Sequence, residues 1–136
     1  MGMTTRISRG VLDRILALAG AETTEICGLL LGEGDYVSAI LPAGNVAQDP
    51  AAHFEIDPAQ LIAAHKAVRA GGPAILGHYH SHPGGRPEPS VTDAACAAAD
   101  GALWLIAGRE RDVRLWRAGA SGLHGRFSGV PFVVEP

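Results

Sequence analysis

Three histidines, His78, His80 and His82, fall within five residues. On an extended strand, residues i and i+2 point to the same face, so the three share a face if Ala74 to His82 (AILGHYHSH) is a strand. Cα atoms two residues apart are about 6.6 Å from one another, and imidazoles so placed converge readily on one zinc ion at ~2.0–2.1 Å per nitrogen. His78 and His82, about 13 Å apart along such a strand, are too distant to share a compact tetrahedral site. Two ligands are therefore expected from the strand and a third from elsewhere. Asp93 is the candidate, eleven residues after His82 and in the first turn of an expected helix, where the intervening Pro/Gly loop returns it to the strand end. His-x-His plus one carboxylate leaves a fourth position open to water, the layout of a catalytic zinc, and bound zinc lowers that water's pKa toward ~7.

Hydrolysis also needs a base that takes the water's proton and delivers it to the leaving group. Glu22, Glu25, Glu55 and Glu88 all qualify by type, and spacing alone does not choose among them. Glu25 has one local argument: it stands at the entry of the apolar run Ile26 to Leu31 (ICGLLL), where a charge needs a polar partner. Plainer roles are open as well. Ser90-Val91-Thr92-Asp93 reads as a capping box, in which Ser90 is only an N-cap and Asp93 only its reciprocal acid. Neither role excludes a place in the site, because a helix start is a favourable place to hold an oxyanion.

The elements that must position these residues mix helix and strand. Val11 to Ala19 carries apolar residues at helical spacing, with Ser8 as a plausible N-cap. Ile26 to Leu31 reads as a buried strand and Tyr36 to Leu41 as its hairpin partner, followed by a loop to Pro50. Asp57-Pro58 starts a helix that runs to about Ala70. Ala74 to His82 is the histidine strand, PGGRPEP (83–89) is irregular, and an Ala-rich helix runs from Ser90 to about Ala99. Leu103 to Ala107, Val113 to Trp116 and Val130 to Val134 are later strands. The pattern predicts an α/β domain with helices packed on a curved mixed sheet.

At 136 residues the chain suits a single domain spanning 1–136, and 47% apolar with 18% charged residues is a globular composition. The net charge of −3 and the lack of a basic run argue against nucleic acid. The start, MGMTTRISRG, has no apolar leader, and no apolar run approaches the ~18 residues of a membrane helix. A cytoplasmic protein with no membrane partner is expected, its Cys27 and Cys96 reduced.

The stretch His80-Ser81-His82-Pro83, six residues, Ser90, then Val91-Thr92-Asp93 resembles the JAMM (MPN+) zinc metallopeptidase motif. Upstream, Glu25-Ile26-Cys27-Gly28-Leu29-Leu30-Leu31-Gly32 resembles the glutamate and Cys-Gly-Leu-Leu strand of that family, and Phe54 to Pro58 (FEIDP) resembles its short bacterial members. The likeness runs from about Ile7 to Trp116. It implies a single MPN domain, a curved mixed sheet flanked by helices in a cytidine-deaminase-like architecture. It implies one Zn2+ per chain held by His80, His82 and Asp93, with Glu25 as general base toward the zinc-bound water and Ser90 as oxyanion donor. The resemblance is what selects Glu25 over the other glutamates.

Family members hydrolyse peptide or isopeptide bonds after the Gly-Gly tail of ubiquitin-like proteins, and short bacterial members are associated with sulfur-carrier proteins. That tail is the expected partner here; the sequence leaves the oligomeric state open. Glycine suits a narrow channel, which an extended tail enters only if its last side chains are hydrogens. The loop HPGGRPEPS also resembles a bacterial branch linked to DNA repair, whereas the Glu25 strand fits the peptidase branch. Two other readings stand beside the peptidase: a zinc amidohydrolase for small substrates, and a non-catalytic MPN-type scaffold. Stoichiometric metal argues against the scaffold, and binding of a ubiquitin-fold carrier against the small-substrate enzyme.

Overall fold

A computed structural model describes residues 4–136. The Met-Gly-Met start, part of the segment read for a leader, lies outside the described residues. Among them no helix is long and apolar enough to cross a membrane. The elements run β1 (Thr5–Ser8), α1 (Arg9–Gly20), β2 (Cys27–Glu33), β3 (Tyr36–Ala43), α2 (Pro58–Arg69), β4 (Ala74–Ser81), α3 (Val91–Cys96), β5 (Leu103–Ala107), β6 (Val113–Leu123), β7 (Phe127–Gly129) and β8 (Phe132–Glu135). All eight strands join one mixed sheet in the order β7-β6-β5-β4-β2-β3-β1-β8. The histidine strand β4 is central, antiparallel to β2 and parallel to β5.

Period-2 alternation divides β4 between two faces. Tyr79, fully buried, points into a core with Ile7, Val11, Ile15, Leu30 and Leu105, which α1 covers. His78 and His80 point to the other face. There Trp104, Ile106, Trp116 and Phe127 form a second cluster, with Phe54 and Ala94 packed against it. The register aligns Cys27 with His80 and His80 with Ile106. The chemical residues of β4 therefore sit on a wall of aromatic and aliphatic side chains. Glycine allows the close approach beneath them: a Cβ on Gly77 would overlap the Leu103 backbone of β5, so β4 and β5 pair tightly only because position 77 has none.

The helix starts follow the sequence logic. Asp57 caps α2 by accepting from the Ala59 amide at 3.0 Å, with Pro58 at the first helical position. Ser90 and Asp93 form a complete capping box. Several expectations are corrected. Strand β1 is not among the expected elements, and Ser8, at the expected N-cap position, makes no side-chain cap. Helix α3 stops at Cys96 rather than Ala99, because Ala97 is extended (φ −81°, ψ 142°) and Gly101 turns the chain into β5 with φ +78°. The expected strand Val113 to Trp116 continues to Leu123. The expected strand Val130 to Val134 begins only at Phe132 and runs to Glu135 as β8, after Pro131, which has no amide hydrogen to give a ladder; β7 (Phe127–Gly129) lies before it and was not among the expected strands.

The two cysteines differ in a measurable way. Cys27 is buried, and burial, reinforced by the Glu25 carboxylate, pushes its thiol up to about 11, whereas Cys96 is exposed. Since the thiolate is the reacting form, iodoacetamide at pH 8 is expected to label one thiol quickly in the native protein and two after denaturation. Equal rates for both thiols in the native state would contradict this burial.

Candidate metal centre

His80 is the penultimate residue of β4 and His82 follows the strand end. Asp93 stands at the third position of α3, inside the capping box. Two ring nitrogens and a carboxylate oxygen from these residues form a small triangle. His80 Nε2 and His82 Nε2 are 3.1 Å apart, and Asp93 Oδ2 lies 3.2 Å from the first and 3.3 Å from the second. Three corners of a tetrahedron around zinc, with bonds of 2.0–2.1 Å, are about 3.3–3.4 Å apart. The fit is within a few tenths of an ångström.

The loop 83–89 makes this triangle possible. Its carbonyls are taken up one after another: Gly85 by the Arg109 amide at 2.9 Å, Arg86 by His82 Nδ1 at 2.9 Å, Pro87 by Trp116 Nε1 at 2.9 Å and Pro89 by His124 Nε2 at 3.1 Å. A proline-rich loop offers few amides of its own, so donors from His82, Arg109, Trp116 and His124 hold it by its oxygens. Held this way, it carries Ser90 and Asp93 back over the end of β4.

The same loop fixes the state of His82. A carbonyl only accepts, so Nδ1 carries the proton donated to Arg86, and Nε2 of the neutral ring presents a lone pair to the site. In the neutral ring that lone pair faces a carboxylate oxygen at 3.3 Å, an arrangement of two acceptors that either a proton on Nε2 or a metal cation between them resolves. Burial pulls His80 below its ordinary pKa, which keeps it in the neutral, metal-binding form. Burial also pulls on His82, but the hydrogen bonds to Asp93 and the Arg86 carbonyl outweigh it, and the net shift is upward from 6.5. Burial alone would raise Asp93; the hydrogen bonds from both histidines and from the Ser90 amide hold it well below the usual carboxylate range.

Glu25, 5% exposed, lies just before β2, with an oxygen within 4.8 Å of both imidazoles. Its Oε1 is buried without a hydrogen-bond partner. Burial raises its carboxyl to about 7, the His82 charge opposing and the Asp93 charge adding. The acids thus divide by environment. Asp93 is closer to both nitrogens and held ionised, the state a metal ligand needs, whereas Glu25 stands farther off with its carboxyl raised into the range in which a carboxyl group can move a proton. Ser90 Oγ accepts from the Asp93 amide at 2.9 Å, which leaves its hydroxyl proton free to donate, and Ser90 is exposed to incoming molecules.

His78 does not join the triangle. Its ring packs edge-on against Trp104 at 4.1 Å, and burial, with His80 next to it, lowers its pKa to about 4. His53 and His65 line a groove of about 1360 Å³ that reaches Asp93 and His78. His124 anchors the loop. Two residues absent from the sequence-based set stand out. Phe54 lies flat on His80, ring centres 4.3 Å apart and planes 18° apart. Asn45 hydrogen-bonds the Glu25 carbonyl at 2.8 Å. The FEIDP segment was the one sequence signal pointing at Phe54; nothing marked Asn45.

Because the metal competes with protons for these histidines, zinc affinity is expected to fall as pH drops. The upward shift of His82 starts this loss above 6.5. Competition with a chromophoric chelator across pH 5 to 8 measures it, and an affinity flat over that range would contradict the ligand assignment.

The family of prokaryotic homologs of the JAB domain matches residues 8–119. A desampylase from Haloferax volcanii is 39% identical over 90 residues, 65% of this chain and 65% of that protein. A desampylase from Pyrococcus furiosus is 26% identical over 132 residues, 97% of this chain and 91% of that protein. A Thermus thermophilus protein named "Probable TtuB-protein conjugate cleaving protease" is 34% identical over 93 residues, 68% of this chain and 62% of that protein. The matches thus span just under two thirds of the Haloferax and Thermus proteins. Among solved structures, a Desulfitobacterium hafniense protein superposes with a TM-score of 0.81 at 26% identity, covering 97% of this chain and 93% of that one. A JAB1/MPN domain protein from Archaeoglobus fulgidus shares the fold with a TM-score of 0.66 at 22% identity, covering 98% of this chain and all of that one. With the family match running from the end of β1 into β6, across the histidines and both acids, the chain belongs to the prokaryotic branch of the JAB (JAMM/MPN+) domain family.

Proposed function

We propose that this protein is a zinc metallopeptidase that hydrolyses the peptide or isopeptide bond after the Gly-Gly end of a ubiquitin-like or sulfur-carrier protein. The observation that carries the reading is the pairing of a three-cornered ligand set with a buried Glu25 carboxylate that has one oxygen unpartnered and reaches within 4.8 Å of the two imidazoles. The names of the Haloferax, Pyrococcus and Thermus relatives support the substrate class.

In this reading His80, His82 and Asp93 hold one zinc per chain. Zinc bound there supplies Lewis acidity, which makes water a competent nucleophile near neutral pH. Glu25 accepts the proton of the attacking water and passes it to the nitrogen of the leaving amine, so the carbonyl carbon gains an oxygen as the C–N bond breaks. The Ser90 hydroxyl, its lone pair already engaged by the Asp93 amide, donates to the negative charge that develops on the scissile carbonyl oxygen. The apolar wall of Phe54 and Trp104 excludes bulk water from this exchange and strengthens each electrostatic contact. A chain of this kind works in the cytoplasm, as one domain, on conjugates of a carrier made there.

The test is single-turnover cleavage of carrier-GlyGly-peptide and carrier-GlyGly-lysine fusions by zinc-loaded protein. Glu25→Ala is expected to lower the rate by ~10²–10⁴-fold, and Ser90→Ala by ~10²–10³-fold. Wild type as inactive as Glu25→Ala on a broad panel of such fusions would sink the reading.

The pH–rate profile follows from Glu25. It works as a base only when ionised, and burial raises its carboxyl to about 7 in the metal-free chain. The rate is therefore expected to fall on the acidic side. A bound dication, favouring the ionised carboxylate, shifts that limb to lower pH. A profile flat down to pH 4 would contradict Glu25 as the base.

A further inference from the structure

We propose that Asn45 is a positioning residue that sets the base and the metal ligands in register with each other; this rests on the proposed role of Glu25 and the His80, His82, Asp93 set. Asn45 lies in the connection between β3 and α2, far from the reacting atoms in sequence, yet its side chain contacts the backbone at both halves of the centre. Nδ2 donates to the Glu25 carbonyl at 2.8 Å and to the His53 carbonyl at 2.9 Å. Oδ1 accepts from the Ala47 amide at 3.0 Å and the Glu55 amide at 3.1 Å. All nitrogen contacts, a longer one to the Pro50 carbonyl at 3.5 Å included, are carbonyls and both oxygen contacts are amides, so the orientation of the amide follows from its partners. Its two donors and both lone pairs are engaged.

The targets give this arrangement its meaning. His53 and Glu55 flank Phe54, so Asn45 grips that residue from both sides. Phe54 in turn lies flat on His80, whose Nδ1 is buried without a hydrogen-bond partner. Metal-binding imidazoles are usually oriented by a hydrogen bond from their second nitrogen. His82 has one, through Arg86; His80 is held instead by the Phe54 ring on its face and the edge of Trp104, 5.7 Å between centres. Meanwhile Glu25 is fixed through its backbone, its carbonyl by Asn45 and its amide by the Pro50 carbonyl at 2.7 Å. One amide side chain thus fixes the segment carrying the base and the ring that orients a ligand.

The substitution that isolates this is Asn45→Asp, which keeps the acceptor for Ala47 and Glu55 but loses the donor to Glu25 and His53. Gln60→Ala is the control: Gln60 Oε1 accepts from the Gly44 amide at 2.6 Å and anchors the same connection without touching Glu25 or the Phe54 segment. Titration with cobalt(II) reads the ligand half without turnover, through affinity and the visible absorption of the bound ion. Steady-state cleavage of a carrier-GlyGly fusion reads the base half.

Asn45→Asp is expected to weaken cobalt binding and to lower kcat, each by about tenfold or more, with KM changed by less than about threefold. Gln60→Ala is expected to leave all three near wild type. If Asn45→Asp does not fold, Phe54→Leu, which keeps apolar volume but removes the flat ring, is expected to show the loss of cobalt affinity with a changed spectrum. The proposal is overturned if Asn45→Asp, or in its place Phe54→Leu, binds cobalt with wild-type affinity and spectrum, or if Gln60→Ala reproduces the losses. Failure of the wild type to cleave any fusion would count against the proposed function, while the cobalt titrations would still decide the role of Asn45.

Discussion

A single oxygen, Oδ2 of Asp93, joins the two halves of the centre. It accepts from the Ser90 amide at 2.9 Å, closing the capping box that starts α3, and it faces both histidine nitrogens at 3.2 and 3.3 Å. A capping box places its acid at the third helical position with little freedom. The local rule for starting a helix therefore also aims a carboxylate. What remains is to bring that helix start to the end of β4, and the hydrogen bonds to the oxygens of loop 83–89 do so. The imidazole of His82 takes part in both tasks, one nitrogen holding the loop and the other facing Asp93.

The sheet supplies the environment. Because β4 is central and covered on its Tyr79 face, its His78 and His80 face can be given over to aromatic packing. Desolvation there acts on each group in a useful direction: it keeps His80 neutral and Glu25 reluctant to ionise. Asp93 escapes that pressure only because two histidines and a helix amide compensate it. Two carboxylates close to the same pair of imidazoles are thereby set to different protonation behaviour by their hydrogen bonds.

What the sequence made legible was local. The i, i+2 rule put His80 and His82 on one face, the proline-rich loop announced a turn, and Ser90 with Asp93 announced a helix start; all three rest on neighbours in the chain. Glu25 was a weaker inference, one of four glutamates until the family likeness singled it out. Asn45 and the packing role of Phe54 were hidden for a physical reason. Their contacts to Glu25 and His80 bridge separate elements, and no periodicity records such pairing. The same holds for β1, whose four residues become a strand only because β3 and β8 pair with it, and for His124, which matters through a carbonyl 35 residues away.

The central claim is that Asp93 completes the ligand set while Glu25, although within 4.8 Å of the same imidazoles, stays outside it. Zinc content per chain, measured by elemental analysis on folded Glu25→Gln and Asp93→Asn after dialysis, separates the two acids directly. The asparagine amide oxygen can still accept from the Ser90 amide as the third-position member of the capping box, so the second variant loses the carboxylate charge but not the turn. The account predicts stoichiometric zinc in Glu25→Gln and little in Asp93→Asn. Zinc retained by Asp93→Asn and lost from Glu25→Gln would contradict it.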